Sequence, residues 1–323
     1  GVGGAVNVTG GAGNTTGSGG VVTVAGGAAV GAISGTHAAD FTTVNINSTG
    51  TGASTIANAT FAAATTIVAS NAAKVTFTDN TLAALTSVNA SASTGGLVLG
   101  TTAIGNAVTF TGGSGADGVV LGATTKAIAM GAGDDTVTVT AAIGTGGTVV
   151  GGDGTDTLVM TDTLGQTLSG DNTFNSKVSG FEAVTITADA GTKTIDLTAL
   201  NSVNKVNAAG LTALTINGMT SGGTLNLTAT STSETVAITG AVGGTADVLN
   251  LTLTGNVGSV VAYGTVTAAN VETVNIAATD SATAGSASAI NTLTLAATGA
   301  TSVVVTGNNG LTLTNTNNAA ITN

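Results

Sequence analysis

Along most of the chain, apolar residues alternate with threonine or asparagine in short runs. Examples are Thr43-Val44-Asn45-Ile46, Lys74-Val75-Thr76-Phe77, Ala107-Val108-Thr109-Phe110, Thr136-Val137-Thr138-Val139, Ala183-Val184-Thr185-Ile186, Thr224-Leu225-Asn226-Leu227, Val248-Leu249-Asn250-Leu251, Thr273-Val274-Asn275-Ile276 and Ser302-Val303-Val304-Val305. A period of two residues is the pattern of a half-buried strand, because successive side chains point to opposite faces of a sheet. Gly, Ser, Asn, Asp and Ala fill the gaps, and these are turn residues. The runs are often spaced by about ten residues, a regularity of multi-stranded β folds. No stretch offers a sustained apolar stripe of period 3.6 with caps, so few helices are expected.

Two architectures use many short, evenly spaced strands: antiparallel sandwiches or barrels, and parallel β-solenoids. Small residues predominate, as a narrow coil interior demands, and the aromatic residues common in sandwich cores are almost missing at 2%. Thr and Asn recur at similar places in successive runs, which lets them stack from coil to coil. The expected fold is therefore all-β, a right-handed parallel β-helix (β-solenoid). With about 20 residues per coil and about 4.8 Å between stacked strands, it would form a rod on the order of 70 Å long. The loosest patches, residues 10–20 and 281–289, read as long loops.

Composition narrows the function. Among 323 residues there are 50 Gly, threonine is commoner still, and Pro, Cys, Trp and Arg are absent. Only 7% of residues are charged, against roughly 25% in ordinary domains. Disordered chains are poor in Val, Ile and Leu, whereas the mean hydropathy here is +0.48, so order is expected. A net charge of −11 disfavours nucleic acid and anionic lipid, which need a basic patch, and suits divalent cations. No apolar run is long enough to span a membrane. The start, Gly1-Val2-Gly3-Gly4, carries no signal-peptide pattern and no initiator Met, which reads as a fragment or a processed segment. Without cysteine, disulfides and thiol chemistry drop out.

The sharpest motif lies in residues 112–160. The nonapeptide G-G-x-G-x-D-x-U-x binds calcium in parallel β-rolls of the RTX type. Gly112-Gly113-Ser114-Gly115-Ala116-Asp117-Gly118-Val119-Val120 fits it, as does Gly151-Gly152-Asp153-Gly154-Thr155-Asp156-Thr157-Leu158-Val159. Between them, Met130-Gly131-Ala132-Gly133-Asp134-Asp135-Thr136-Val137-Thr138 lacks only the first glycine. Glycines allow backbone angles that aim carbonyls at one centre, and Asp supplies the hard anionic oxygen that Ca²⁺ takes in six- to eightfold coordination. Ca²⁺ is the expected cofactor. The metal site is assigned to Gly113, Gly115, Asp117, Gly131, Gly133, Asp134, Asp135, Gly152, Asp153, Gly154 and Asp156, with Asp134 and Asp153, like Asp162, in a second tier. Asp117 and Asp135 stand two nonapeptides apart, one β-roll turn, and should stack. Val119, Ile128, Val137 and Leu158 should plug the coil interior. The intervening half-turn, residues 121–129, has Thr124 at a Gly position and Lys126 at the Asp position. It should bind no ion, with Lys126 either internal or turned to solvent. A three-residue slip before Gly151 is expected to leave the third repeat only partly in register. The chain thus reads as a repetitive solenoid over 1–106, an RTX-like calcium β-roll over 107–165 and a solenoid continuation over 166–323, together one continuous rod.

Residues 110–139, with Leu121-Gly122-Ala123-Thr124-Thr125-Lys126-Ala127-Ile128 inside them, resemble the Caulobacter-type S-layer proteins of the RTX family. So do Asn270-Val271-Glu272-Thr273-Val274-Asn275-Ile276-Ala277-Ala278-Thr279-Asp280 and Val304-Val305-Thr306-Gly307-Asn308-Asn309-Gly310-Leu311. Over residues 1–100 the likeness is mainly compositional. The resemblance implies type I secretion without a cleaved signal, an extracellular place on the bacterial cell surface, and calcium-dependent assembly with copies of itself into a hexagonal lattice. The family's N-terminal anchoring region, which holds lipopolysaccharide, and its C-terminal secretion segment have no counterpart here, so the chain resembles the central lattice-forming part.

Other features carry less. Glu182 and Glu272 stand at matching strand starts, where a Glu fixing a turn is the plainer reading than a calcium ligand or lattice contact; Asp247 is comparable. His37, the only histidine, has no carboxylate cluster beyond Asp40 and reads as a loop residue, and Tyr263 reads as packing. A structural surface-layer protein accounts for these features. An RTX-type adhesin or calcium-binding exoprotein without a lattice is the alternative. An enzyme is not expected: a polysaccharide lyase or glycosidase needs basic residues, sugar-stacking aromatics or a paired-carboxylate cleft, and none is visible.

Overall fold

The computed structural model describes residues 20–24, 29–30, 42–48, 52–56, 59–61, 63–78, 80–188, 191–255, 258–280 and 290–316. His37, the patch at 281–289 and most of that at 10–20 lie outside the described residues. The described strands pair in parallel and wind into a β-solenoid of about 11 turns. Coil length varies: stacked residues are 18 apart at Asp117 and Asp135, 21 at Asp135 and Asp156, and 25 at Asn250 and Asn275. The chain divides into two compact units, Gly1–Leu158 with Ser176–Phe181, and Val159–Asn175 with Glu182–Asn323.

In the first unit, strands alternate in sequence between two sheets. One runs Gly20–Val24, Thr43–Ser48, Thr66–Ala69, Ser87–Asn89, Thr109–Thr111, Ala127–Ala132, Thr148–Asp153 and Val178–Ser179. The other includes Ser54–Ile56, Val75–Phe77, Leu97–Leu99, Gly118–Leu121 and Thr136–Val139. Because inward positions repeat every second residue, register places Val44, Ile67, Val88, Phe110, Ile128, Val149 and Val178 in one buried column. Burying each such side chain fully is worth ~1.5–3 kcal/mol, so a column that is aliphatic except at Phe110 supplies most of the core. Val119, Ile128, Val137 and Leu158 all face inward, as the repeat pattern requires.

In the second unit, one sheet orders Thr192–Asp196, Ala213–Met219, Ser233–Ile238, Ala262–Thr267, Asn291–Ala296 and Leu311–Thr316. The facing strands are Ala183–Thr187, Lys205–Ala209, Gly223–Leu227, Val248–Thr254, Thr273–Thr279 and Ser302–Gly307. Pairing stays parallel through residues 185–239, which excludes an antiparallel meander there. The expected polar ladder is present, with its asparagines in two pieces that Thr254 Oγ1 joins by donating to Asn226 Oδ1 at 3.2 Å. Asn207 Nδ2 donates to Thr185 Oγ1 at 3.0 Å and Asn226 Nδ2 to Asn207 Oδ1 at 3.2 Å. The next strand then slips, so Asn226 faces Thr252 and Thr224 faces Asn250. The ladder resumes where Asn275 Nδ2 donates to Asn250 Oδ1 at 2.9 Å. Asn207→Ala removes one bond on each side and is expected to cost about 1–2 kcal/mol. Urea unfolding would measure it, and an unchanged midpoint would mean that the ladder is ornamental.

Among the described residues two α-helical segments interrupt the β pattern, Asp162–Ser169 and the one-turn Phe174–Lys177; the first is capped where Thr161 Oγ1 accepts the Leu164 N–H at 3.2 Å. Gly165 looks like a helix breaker in sequence. In the fold it permits close approach, since a Cβ there would meet Ile195 Cγ2 at 3.2 Å and Met160 Sδ at 3.4 Å.

Candidate metal centre

Three of the glycine-rich segments turn the same corner of the first unit, each just before a strand of the same sheet. Gly131 and Gly133 have φ of +105° and +119°, and Gly152 and Gly154 have +121° and +136°, a region closed to most residues. The repeats also stack closely. A Cβ on Gly131 would collide with the Gly113 carbonyl, and one on Gly152 or Gly154 with the carbonyls of Gly131 or Gly133. The corner is thus lined by carbonyl oxygens brought together only because no side chains intervene.

Asp117, Asp135 and Asp156 are buried at this corner, with 2%, 1% and 0% of their surface exposed. Their carboxylates make a ladder that the motif does not advertise. Leu97 N–H donates to Asp117 Oδ1 at 2.5 Å, Asp117 N–H to Asp135 Oδ1 at 2.7 Å, and Asp135 N–H to Asp156 Oδ1 at 2.9 Å. Each aspartate therefore satisfies a backbone N–H one coil back. Asp117 Oδ2 takes a second donor, Gly113 N–H, at 2.9 Å. Asp135 Oδ2 is buried with no hydrogen-bond partner. The third repeat is fully in register, with Gly131 opposite Gly152 and Ala132 opposite Asp153. This corrects the expected partial slip: the extra residues are absorbed in the opposite corner, between the strands Thr136–Val139 and Thr148–Asp153, away from the aspartates.

The electrostatics follow from burial and like charge. Burial is the largest influence on Asp135 and pushes it up to about 7; the Asp117 N–H opposes, while the charges of Asp117, Asp156 and Asp134 push further upward. Asp117 is raised by burial too, against the Gly113 and Leu97 N–H groups and the Lys74 ammonium, which lower it. A stack of carboxylates crowded into a desolvated corner is short of positive charge.

The remaining candidates fall around this core. Asp134 Oδ1 accepts Thr155 N–H at 2.9 Å, and the Asp153 carbonyl accepts Gly133 N–H at 2.8 Å. Both side chains belong to exposed positions. In the degenerate half-turn Lys126 is exposed, so it is turned to solvent rather than internal, and buried Thr124 holds the corner. Asp162 is not part of the aspartate ladder; it is buried in the first turn of the helix. Glu272 uses the same device as the aspartates, its Oε2 accepting Asp247 N–H at 2.7 Å, which favours the turn-fixing reading. Tyr263 is fully buried.

Sequence reasoning missed that the corner continues without charge. In earlier coils it is filled by Asn71, whose Nδ2 donates to the Ala73 and Gly96 carbonyls at 2.8 and 2.7 Å, and by Ser93, whose Oγ accepts Gly96 N–H at 3.2 Å. The signal that could have found the ladder is an acid immediately before a strand, at Asp117, Asp135, Asp156 and Glu272 alike. Among the described residues no group of three or more His, Cys, Asp and Glu side chains converges to hold an ion by itself. An ion at this corner would need the glycine carbonyls as well as the carboxylates, and hard oxygen donors of both kinds are there.

No protein-family model matches the chain, and no curated protein matches it. The likeness to Caulobacter-type S-layer proteins rests on the residues quoted for it.

Proposed function

We propose that the chain is a calcium-stabilised structural component of a bacterial surface layer, outside the cell, whose solenoid associates with further copies of itself into a two-dimensional lattice. The observation that carries the calcium part is the aspartate ladder: buried, in register, mutually repelling, and leaving Asp135 Oδ2 without a donor. Asp117, Asp135 and Asp156 would hold the ion with carbonyls of Gly113, Gly115, Gly131, Gly133, Gly152 and Gly154, and Asp134 and Asp153 would lie at the rim. Bound calcium would supply positive charge to this corner and tie successive coils together. The lattice part is supported by the quoted resemblance, by the acidic, regular solenoid and by the near absence of basic and aromatic residues that catalysis on sugars would use.

A second reading has its own observation. Four backbone N–H groups already donate to Asp117, Asp135 and Asp156, so the aspartates could act purely as caps of a metal-free corner.

The two separate on chelation. Binding to the folded form alone stabilises it by about 1.4 kcal/mol per site at tenfold excess over Kd. A chelator added to the assembled protein is expected to disperse the lattice and weaken β-structure in residues 112–160, followed by particle size and circular dichroism. A lattice unchanged by full chelation would leave only the capping role.

A further inference from the structure

We infer that Glu234, in the second unit, is carried inside the coil as a neutral carboxylic acid and forms an alkali-sensitive latch on the strand Ser233–Ile238. The inference stands on register and on hydrogen-bond supply. Glu234 occupies an inward position of its strand, directly between Leu214 and Val266 of the flanking strands, and none of its surface is exposed. Among the described residues the carboxyl has one hydrogen bond, between Oε1 and the hydroxyl of Ser231, itself buried. Oε2 is buried with no partner.

A buried carboxylate is kept ionised by several donors or by a nearby cation. Asp117 shows the supply that this chain gives a buried carboxyl elsewhere: two backbone N–H groups converge on it and Lys74 lies close enough to favour its charge. Glu234 has neither. Ser231 Oγ, with its single proton, also lies 3.0 Å from the Leu211 carbonyl oxygen, which already accepts Thr232 N–H at 3.2 Å. On the two flanking strands, Ala213–Met219 and Ala262–Thr267, the only titratable side chain is Tyr263, and no charged side chain is among the influences acting on Glu234. Protonation resolves the shortage. The acid O–H donates to Ser231 Oγ, and the Ser231 hydroxyl donates on to the Leu211 carbonyl, so both protons are used and no charge remains in the apolar interior.

Burial, weakly opposed by Ser231, pushes Glu234 up to about 7 from the usual 4.5. A folded value above the unfolded one means that the folded chain binds the extra proton between these two pH values. Stability is then full below the unfolded value and is lost as pH rises through the folded one. Neutral-to-alkaline pH would therefore loosen this coil.

The test compares the full chain with Glu234→Gln, which keeps the size and removes the charge, in identical buffer. Between pH 5.5 and 8.5 the folding equilibrium constant of the native chain is expected to fall about thirtyfold more than that of E234Q. The corner aspartates are common to both proteins and cancel. In infrared spectra at pH 5.5, the native chain should show one protonated-carboxyl C=O stretch more than folded E234Q, in which Asp135 still contributes its own. Equal pH dependence in the two proteins, or no such extra band at pH 5.5, would overturn the inference.

Discussion

Asp135→Asn is expected to stabilise the protein much more without calcium than with it. In chelator at pH 8 it should raise the urea midpoint, and in excess calcium a large part of that gain should disappear. The Asn carbonyl oxygen can still accept the Asp117 N–H that Asp135 Oδ1 takes at 2.7 Å, so the ladder keeps its geometry. What the substitution removes is a charge. In the metal-free corner that charge is a burden: raising a carboxyl from 3.8 to about 7 by burial and repulsion corresponds to a cost on the order of 4 kcal/mol at alkaline pH. With calcium bound, the same charge is what attracts the ion, and losing it forfeits about 1.4–2.7 kcal/mol per site at ten- to hundredfold ligand excess. Asp280 lies outside the three repeats, so Asp280→Ala should leave calcium affinity far less changed than Asp135→Ala in a calorimetric titration. An Asp135→Asn variant stabilised equally in both buffers would mean that the aspartates serve the backbone and no ion.

Acidification of the metal-free protein should stabilise it between about pH 8 and pH 5. Because the folded Asp135 titrates at about 7 and the unfolded one near 3.8, the folded state binds more protons throughout that interval, and stability falls as pH rises. Asp117, shifted the same way, adds to the slope. The calcium-dependent increment runs the other way. It should fade as pH drops through 7, since a proton on Asp135 competes with the ion. Thermal unfolding at pH 5, 6, 7 and 8, with calcium and with chelator, would give converging curves toward acid pH and diverging ones toward alkaline pH. In the Asp135→Asn variant the metal-free slope should flatten, and what remains is the share of Asp117 and Glu234. A metal-free protein that loses stability steadily from pH 8 to 5 would contradict the burial assigned to this corner.

The solenoid was legible because its signal is local. Alternation of Val, Ile and Leu with Thr and Asn fixes which side of each strand is buried, and scarce aromatics with abundant glycine suit a narrow interior; the buried column from Val44 to Val178 follows from that pattern alone. The spacing of Asp117 and Asp135 likewise predicts their stacking, because it equals one coil. The helix at Asp162–Ser169 was illegible because Gly165 argues against it locally, and only its fit against Ile195 and Met160 explains the residue. Register was illegible wherever coil length changes. The extra residues before Gly151 leave the aspartate ladder intact, while those before Asn250 split the asparagine ladder. Which N–H lies opposite a carboxylate depends on where a loop absorbs its surplus residues. The alternation of side chains along one strand carries no record of that, so the sequence determined the coil and its candidate ligands. Only the stacking of coils decided that Asp135 has an oxygen without a donor and that Glu234 has almost none.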